Sequence, residues 1–209
     1  MTPSRGWQRA VKRAGDMGIS ALLLVLLAPL LGVLALAVRW SLGSPVLFRQ
    51  ERPGRHGQPF VLTKFRTMTD ARNAAGDLLP DAERLTPLGR WLRRRSLDEL
   101  PELWLVLRGD MSLVGPRPLL MRYLARYTPR QMRRHAVRPG LTGWSQVNGR
   151  NATTWEQRLE MDTWYVEHWS LALDVRILWR SVGVVLGGRG ISSEGHATMP
   201  EFWGTDEPS

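Results

Sequence analysis

Residues 17–38 read MGISALLLVLLAPLLGVLALAV, 22 consecutive positions without a charge. As a helix this run would reach roughly 33 Å at about 1.5 Å per residue, enough to cross a hydrocarbon core of about 30 Å. A core helix of that length with no polar face would be out of place in a chain of 209 residues. The run is therefore read as membrane-inserted. A cleavable leader competes, because Ala35-Leu36-Ala37 has a small-x-small form, yet the apolar stretch of a leader covers only about 7–15 residues.

The flanks set the topology. Arg5, Arg9, Lys12 and Arg13 precede the run, and Arg39, Arg49, Arg52 and Arg55 follow it. A bias of Lys and Arg orients a spanning helix toward the cytoplasm, and here the two flanks carry equal numbers. Pro29 in mid-run removes a backbone hydrogen bond and bends a helix. Balanced flanks and a central Pro predict a re-entrant, kinked helix that enters the bilayer and returns to the cytoplasmic face. A kinked spanning helix is the alternative.

Composition agrees with a membrane surface. With 29 Lys and Arg against 19 Asp and Glu the net charge is +10, nearly all of the cations being Arg, and ten Trp are present. Such a chain seeks phosphates in lipid headgroups, nucleotides or nucleic acid, and Trp favours interfaces that are apolar on one side and wet on the other. The absence of Cys excludes disulfides, thiolate metal sites and cysteine nucleophiles. The four His are far apart and none has zinc-ligand spacing.

Beyond the run, Pro45–Gln50 and Pro59–Arg66 read as two strands of a hairpin joined by the turn-rich Arg52-Pro-Gly-Arg-His-Gly57. Residues 69–88 are expected to hold a short helix and a connection. Apolar positions at helical spacing predict a helix over Trp91–Leu107, a basic helix over Leu119–Val137 and a long helix over Trp155–Leu186 carrying Trp155, Leu159, Val166, Trp169, Leu173 and Ile177. Next to an inserted segment, these last aromatic helices are expected at the headgroup level. Gly109–Pro118 and Arg138–Gly149 read as loops.

No Walker A, G-x-S-x-G or G-x-G-x-x-G pattern occurs. What remains is the pair Asp98-Glu99 within Arg93-Arg-Arg-Ser-Leu-Asp-Glu-Leu-Pro101. One reading is structural: Ser96 and Glu99 have capping-box spacing, and either Ser96 or Asp98 would cap the helix that Pro101 helps to start. The other is chemical. Helix N–H groups and neighbouring Arg favour an ionised carboxylate and attract phosphate, and an ionised Asp can attack phosphorus and form an acyl phosphate. Glu99 with Mg²⁺ nearby would offset the charge of a diphosphate. Arg117, Arg138 and Arg150 sit in Pro- or Gly-framed loops that suit bidentate contacts to phosphate oxygens.

The segments KFRTM (64–68), SLDELPELWLVLRGDMSLVGPRPLL (96–120) and RPGLTGWSQVNGRN (138–151) resemble the monotopic bacterial phosphoglycosyl transferases, or bacterial sugar transferases. The resemblance runs from about Lys12 to Trp203. The length and the Glu194-Gly-His196 tail are most similar to the short, single-domain subfamily that includes the phospho-bacillosamine transferase. It implies an α+β, mainly helical monotopic membrane protein with an N-terminal re-entrant kinked helix, a small β-hairpin and interfacial amphipathic helices. Residues 1–40 would form the membrane segment, 41–190 the catalytic domain and 191–209 a tail. Relatives carry Ser-Pro at the kink where this chain has Ala28-Pro29.

The implied reaction moves a sugar-1-phosphate, of an N-acetylated hexose by resemblance to the short subfamily, from a UDP-sugar to undecaprenyl phosphate and releases UMP. Asp98 inherits the role of nucleophile and first Mg²⁺ ligand, Glu99 a supporting role, and Arg93, Arg117, Lys64 and Arg66 the phosphate contacts. The implied partners are UDP-sugar, undecaprenyl phosphate, the lipid bilayer and downstream glycosyltransferases, without nucleic acid. The implied location is the cytoplasmic face of the bacterial inner membrane. The rival is a membrane-anchored, Arg-rich binding or scaffold protein for anionic lipid or nucleic acid, which leaves the Asp-Glu pair unexplained.

Overall fold

The computed structural model describes residues 6–149, 153–187 and 201–204. The apolar run forms the middle of a single 37-residue helix, α1 (Gly6–Leu42), which continues through Pro29 without interruption and is long and apolar enough to cross a membrane. One side of α1 lies on the rest of the chain. Leu23, Leu24 and Leu27 pack on the central core, while Leu34 and Val38 are buried against Phe65 and Leu92. On the other side Trp7, Val11, Ile19, Leu22, Val25, Leu26, Val33, Leu36 and Trp40 are exposed. Their steps of three, four, seven and eight residues make one continuous apolar stripe.

Polar bonds fix both ends of α1. Near its start the Lys12 ammonium donates to Asp174 at 2.7 Å and to the Val114 carbonyl at 3.1 Å. Arg13 donates to the carbonyls of Val106 and Leu107, and Asp16 accepts from the Ser112 hydroxyl at 2.8 Å. At its far end Arg66 donates to the carbonyls of Leu42 and Ser44, a cationic cap on terminal carbonyls that the helix itself leaves unpaired.

The hairpin forms from β1 (Leu47–Pro53) and β2 (Pro59–Phe65), antiparallel, with Leu47 opposite Phe65 and Pro53 opposite Pro59. The first strand runs past the predicted Gln50 through Pro53, because the Gly54 N–H bonds the Gln58 carbonyl at 2.7 Å and tightens the turn. A one-turn helix, α2 (Asp81–Arg84), lies in the connection that follows. The helix expected over Trp91–Leu107 is broken into α3 (Pro87–Arg94), a tight helical turn (Leu97–Glu99) and α4 (Glu102–Arg108). The break is Ser96, whose φ of 54° lies in the left-handed region. Ser96 makes no capping bond and Pro101 itself holds the N-cap position of α4, so neither capping arrangement expected from the sequence forms.

Two further expectations are corrected. The segments read as loops contain a short parallel pair, β3 (Ser112–Val114) beside β4 (Gly140–Thr142). The Leu119–Val137 helix is divided by Thr128 and Pro129, because Thr128 and Gln131 form a reciprocal capping box that starts α5 (Pro129–Met132) anew. Tight helical turns flank it at Met121–Arg126 and Arg133–Ala136. After α6 (Trp144–Asn148), the long aromatic helix is two, α7 (Trp155–His168) and α8 (Leu171–Gly187). Leu159, Trp169 and Ile177 turn inward, and the exposed stripe of α8 is Val175, Trp179 and Val182.

Leu103, Val106, Met111, Leu113, Val114, Tyr165 and Ile177 form the central core between α4, β3, α7 and α8. Asp174 ties it to α1, accepting from Lys12, from the Tyr165 hydroxyl at 2.6 Å and from the Trp169 indole at 3.0 Å. Removing one partner of a buried ion pair strands the other, at about 3–5 kcal/mol. Asp174→Ala is accordingly expected to lower stability by about 3 kcal/mol and to expose residues 6–16 to protease, checked by thermal unfolding and limited digestion in detergent.

Candidate active site

The site is assembled where the broken helix meets the hairpin. Thr86 caps α3 by accepting from Gly89 N–H at 3.0 Å, and Pro87 opens the helix. A Cβ at Gly89 would lie 2.0 Å from the Thr67 carbonyl oxygen, so the close approach of α3 to the end of the hairpin requires glycine. Arg93, in the last turn of α3, donates from Nε to the Thr67 hydroxyl at 3.1 Å. The reversal at Ser96 then folds the turn holding Asp98 and Glu99 back against β2, whose Lys64 lies near the pair.

Asp98 is buried, and among the described residues no side chain hydrogen-bonds it. Burial first, and the neighbouring Glu99 second, push its carboxyl up, while the charges of Lys64, Arg93 and Arg117 pull it down. Glu99 goes the other way. Burial alone would raise it, but Arg117 donates to both of its oxygens and holds it below the ordinary value. The two carboxyls are thereby given different characters, Glu99 committed to an arginine and Asp98 free among cations.

Arg117 is presented by the Gly115-Pro-Arg-Pro118 segment. A Cβ at Gly115 would stand 2.4 Å from the Arg138 carbonyl oxygen, so glycine lets this segment press on the β4 side. The Arg117 carbonyl accepts from Arg134 at 2.7 Å, and Arg134 forms a buried ion pair with Asp162 at 2.7 Å. Asp162 is completed by the Ser145 hydroxyl at 2.8 Å.

The structure thus gathers Asp98, Glu99, Lys64, Arg93 and Arg117. It does not bring Arg66 or Arg138 to the dyad. Arg66 is drawn to the end of α1, and Arg138 donates to the Gly109 carbonyl at 2.7 Å; both donate to backbone carbonyls. Arg150 lies outside the described residues, as does the Glu194-Gly-His196 segment. Pro29 lies within α1, away from the acidic pair in sequence and packing.

Two site residues were missed. Glu102, at the start of α4, is buried and pushed up to about 8 by burial and by Glu99. Arg52 lies close enough to Arg117 and Glu102 for their charges to act on it. Strand alternation places Arg52 once the first strand is extended through Pro53: the hairpin register puts it on the same face as Lys64.

Among the described residues no three His, Asp or Glu side chains gather into a metal cage. Two adjoining carboxylates still suit Mg²⁺, which takes one or two and completes its shell with phosphate oxygens and water. Of the pair, Asp98 has its oxygens free of other bonds.

An acidic pair ringed by cations, its Asp98 buried, on a domain carrying a long apolar helix, suits a membrane-associated protein with a site for an anion. The chain belongs to the bacterial sugar transferase family, whose model matches residues 7–188. It is 52% identical over 199 residues to the sugar transferase EpsL of Bacillus subtilis (strain 168), covering 95% of this chain and 98% of that one. The UDP-glucose:undecaprenyl-phosphate glucose-1-phosphate transferase of Escherichia coli (strain K12) is 42% identical over 193 residues, covering 87% of this chain and 41% of that one. The undecaprenyl-phosphate galactose phosphotransferase of Salmonella typhimurium (strain LT2) is 38% identical over 195 residues, covering 85% and 41%. The chain spans about two fifths of the length of these last two relatives.

Glu102 makes stability pH-dependent. The fold favours its protonated form, so the folded chain keeps a proton that the unfolded chain releases from its ordinary value of 4.5. The protonated fold is at full advantage below that value, and stability is lost as pH rises toward about 8. Glu102→Gln is expected to melt above wild type at pH 8 and close to it at pH 4.5, measured as melting temperatures across that range.

Proposed function

We propose that this chain transfers a sugar-1-phosphate from a UDP-sugar to undecaprenyl phosphate and releases UMP, as the first membrane step of glycoconjugate or polysaccharide assembly. The observation that carries the reading is Asp98: buried, free of hydrogen bonds among the described residues, and flanked by Lys64, Arg93 and Arg117. A surface binder of anionic lipid has no use for a carboxylate in that position. The E. coli and Salmonella relatives, named for transfer to undecaprenyl phosphate, support the same acceptor.

The reaction proceeds in two displacements. An Asp98 carboxylate oxygen attacks the sugar-bearing phosphorus of the donor. A P–O bond forms, the bond to the bridging oxygen breaks, and UMP leaves with the electron pair. A phosphate oxygen of undecaprenyl phosphate then attacks the same phosphorus and Asp98 departs as carboxylate. The covalent aspartyl-phosphosugar lets the two substrates visit the site in turn, a ping-pong scheme. Lys64, Arg93 and Arg117 stabilise charge on the transferred group, and the salt bridge to Glu99 orients Arg117. Asp98, with Glu99 beside it, would hold Mg²⁺, which supplies charge neutralisation on the diphosphate. The donor is a UDP-hexose; similarity to the short subfamily favours an N-acetylated one.

A monotopic, re-entrant placement of α1 accompanies this reading. Both ends of the helix are bonded to the same domain, the start through Lys12, Arg13 and Asp16 and the end through Arg66. The exposed stripe of α1 and the Val175, Trp179 and Val182 face of α8 then meet lipid. That arrangement sets Asp98 near the headgroups of the cytoplasmic leaflet, where a polyprenyl phosphate and a cytosolic UDP-sugar can both reach it. The lipid-linked product passes to downstream glycosyltransferases.

Purified protein in lipid nanodiscs, given undecaprenyl phosphate, Mg²⁺ and a panel of UDP-hexoses, is expected to release UMP. Chelator abolishes release, and Asp98→Asn lowers it by about 10³-fold or more. Retained turnover in that variant overturns the nucleophile. Acidification is expected to suppress release at a pH above 3.8, the ordinary value for Asp, because burial raises Asp98 and only its ionised form attacks.

A further inference from the structure

Arg52 has no part in the scheme above, and its surroundings are those of a ligand-binding cation. It stands in β1 opposite Phe60, on the hairpin face where Lys64 stands opposite Phe48. Its guanidinium donates to Gln50 Oε1 at 2.6 Å, its Nε is buried without a partner, and it forms no ion pair with any described carboxylate. Arg117 is the neighbouring charge that acts on it most, and Arg117 is already matched by Glu99. Glu102, close enough for its charge to reach Arg52, also leaves Oε1 buried without a partner. Unmatched cationic and polar groups withdrawn from water are costly unless a ligand satisfies them.

The position relative to Asp98 says which part of a ligand comes here. Lys64 lies near Asp98, and Arg52, opposite Phe60, stands four residues further along the same face of the hairpin, about 13 Å away at about 3.3 Å per residue. A diphosphate with its reacting phosphorus at Asp98 has a second phosphate that must lie elsewhere, and Arg52 beside Arg117 is the unmatched cation available to it. We propose that Arg52 binds the uridine-linked phosphate of the donor, the group that leaves as UMP. This assignment rests on the sugar-phosphate transfer reading. It makes Arg52 a determinant of donor affinity and of UMP retention, distinct from the cations that serve the transferred phosphoryl group.

The test uses the full chain in nanodiscs, as wild type, Arg52→Gln and Arg52→Lys, with UMP and undecaprenyl phosphate as separate probes. Without ligand, Arg52→Gln is expected to melt at or above wild type, because an unmatched, half-buried charge has gone. Its dissociation constant for UMP, measured by calorimetry, rises at least about tenfold, the loss of one charge-assisted hydrogen bond. Affinity for undecaprenyl phosphate is unchanged, and Arg52→Lys, which keeps the charge and the fold, binds UMP with intermediate affinity. Wild-type UMP affinity in both variants overturns the proposal and leaves Arg52 structural. Loss of undecaprenyl phosphate affinity alone overturns the assignment in favour of the acceptor phosphate. Wild type that neither binds UMP nor releases it from any UDP-sugar overturns the transfer reading itself.

Discussion

The salt bridge between Arg117 and Glu99 is the constraint on which the acidic site depends. It joins two segments 18 residues apart in sequence and decides which carboxylate is committed and which is free. Two adjacent acids in one pocket would otherwise resist double ionisation. By holding Glu99 charged, Arg117 defines it as a fixed acceptor and leaves Asp98 to the diffuse field of Lys64, Arg93 and Arg117 itself. The bridge is itself supported. The Arg117 carbonyl is held by Arg134, and Arg134 by Asp162, both ion-pair side chains being only 1% exposed. A buried pair of this kind contributes little net stability over an apolar replacement. What it supplies is a fixed distance between α7, the turn before β4 and the arginine loop.

The same logic governs the membrane helix. Its apolar run alone does not say whether it crosses the bilayer, because length and hydropathy are equal for a spanning and a non-spanning helix. Further features lie outside the run, in polar residues that a single-helix reading treats as flanking charge. Lys12 and Asp16 are partners of Asp174, Val114 and Ser112 inside the domain, and Arg66 reaches the last turn from the hairpin. Charges that would orient a spanning helix are here used as tertiary contacts.

How much was legible follows from these two cases. The membrane run, the hairpin and the Asp98-Glu99 pair could be read directly, because each is a local pattern of period, turn chemistry or adjacency. Lys64, Arg93 and Arg117 were named by motif resemblance, and the structure does bring them to the pair. Arg66 was named by the same resemblance and Arg138 for its Pro- and Gly-framed loop, and both donate to backbone carbonyls away from the pair; an arginine looks the same in sequence whether it faces a ligand or a chain end. The long helices failed at Ser96, Thr128 and Trp169-Ser170, where side chains or an unusual φ override a periodic apolar pattern. The three-residue strands β3 and β4 are too short to leave a period at all. Arg52 and Glu102 needed register and burial, which only the assembled hairpin and α4 provide.

The distribution of charge also separates the two functional classes that composition left open. A binding protein for anionic lipid or nucleic acid would carry its excess of cations on an open surface, free to meet phosphates. The exposed arginines are of both kinds: Arg130 is matched by Glu160 at 2.6 Å, Arg133 by Glu167 at 2.7 Å and Arg122 by Glu201 at 2.8 Å, while Arg39, Arg49, Arg90, Arg94, Arg95 and Arg176 form no ion pair among the described residues. Around the acidic pair the cations are instead held partly out of water. Arg52 is unmatched there, Glu102 is pushed toward its neutral form, and Lys64 and Arg93 face the single free carboxyl of Asp98. Positive charge held partly out of water beside a carboxyl is costly to keep in an empty protein and becomes favourable when a multiply charged anion enters. Cations drawn partly out of water around a free carboxyl suit a site that admits a diphosphate, and a surface adhesive has no need of them.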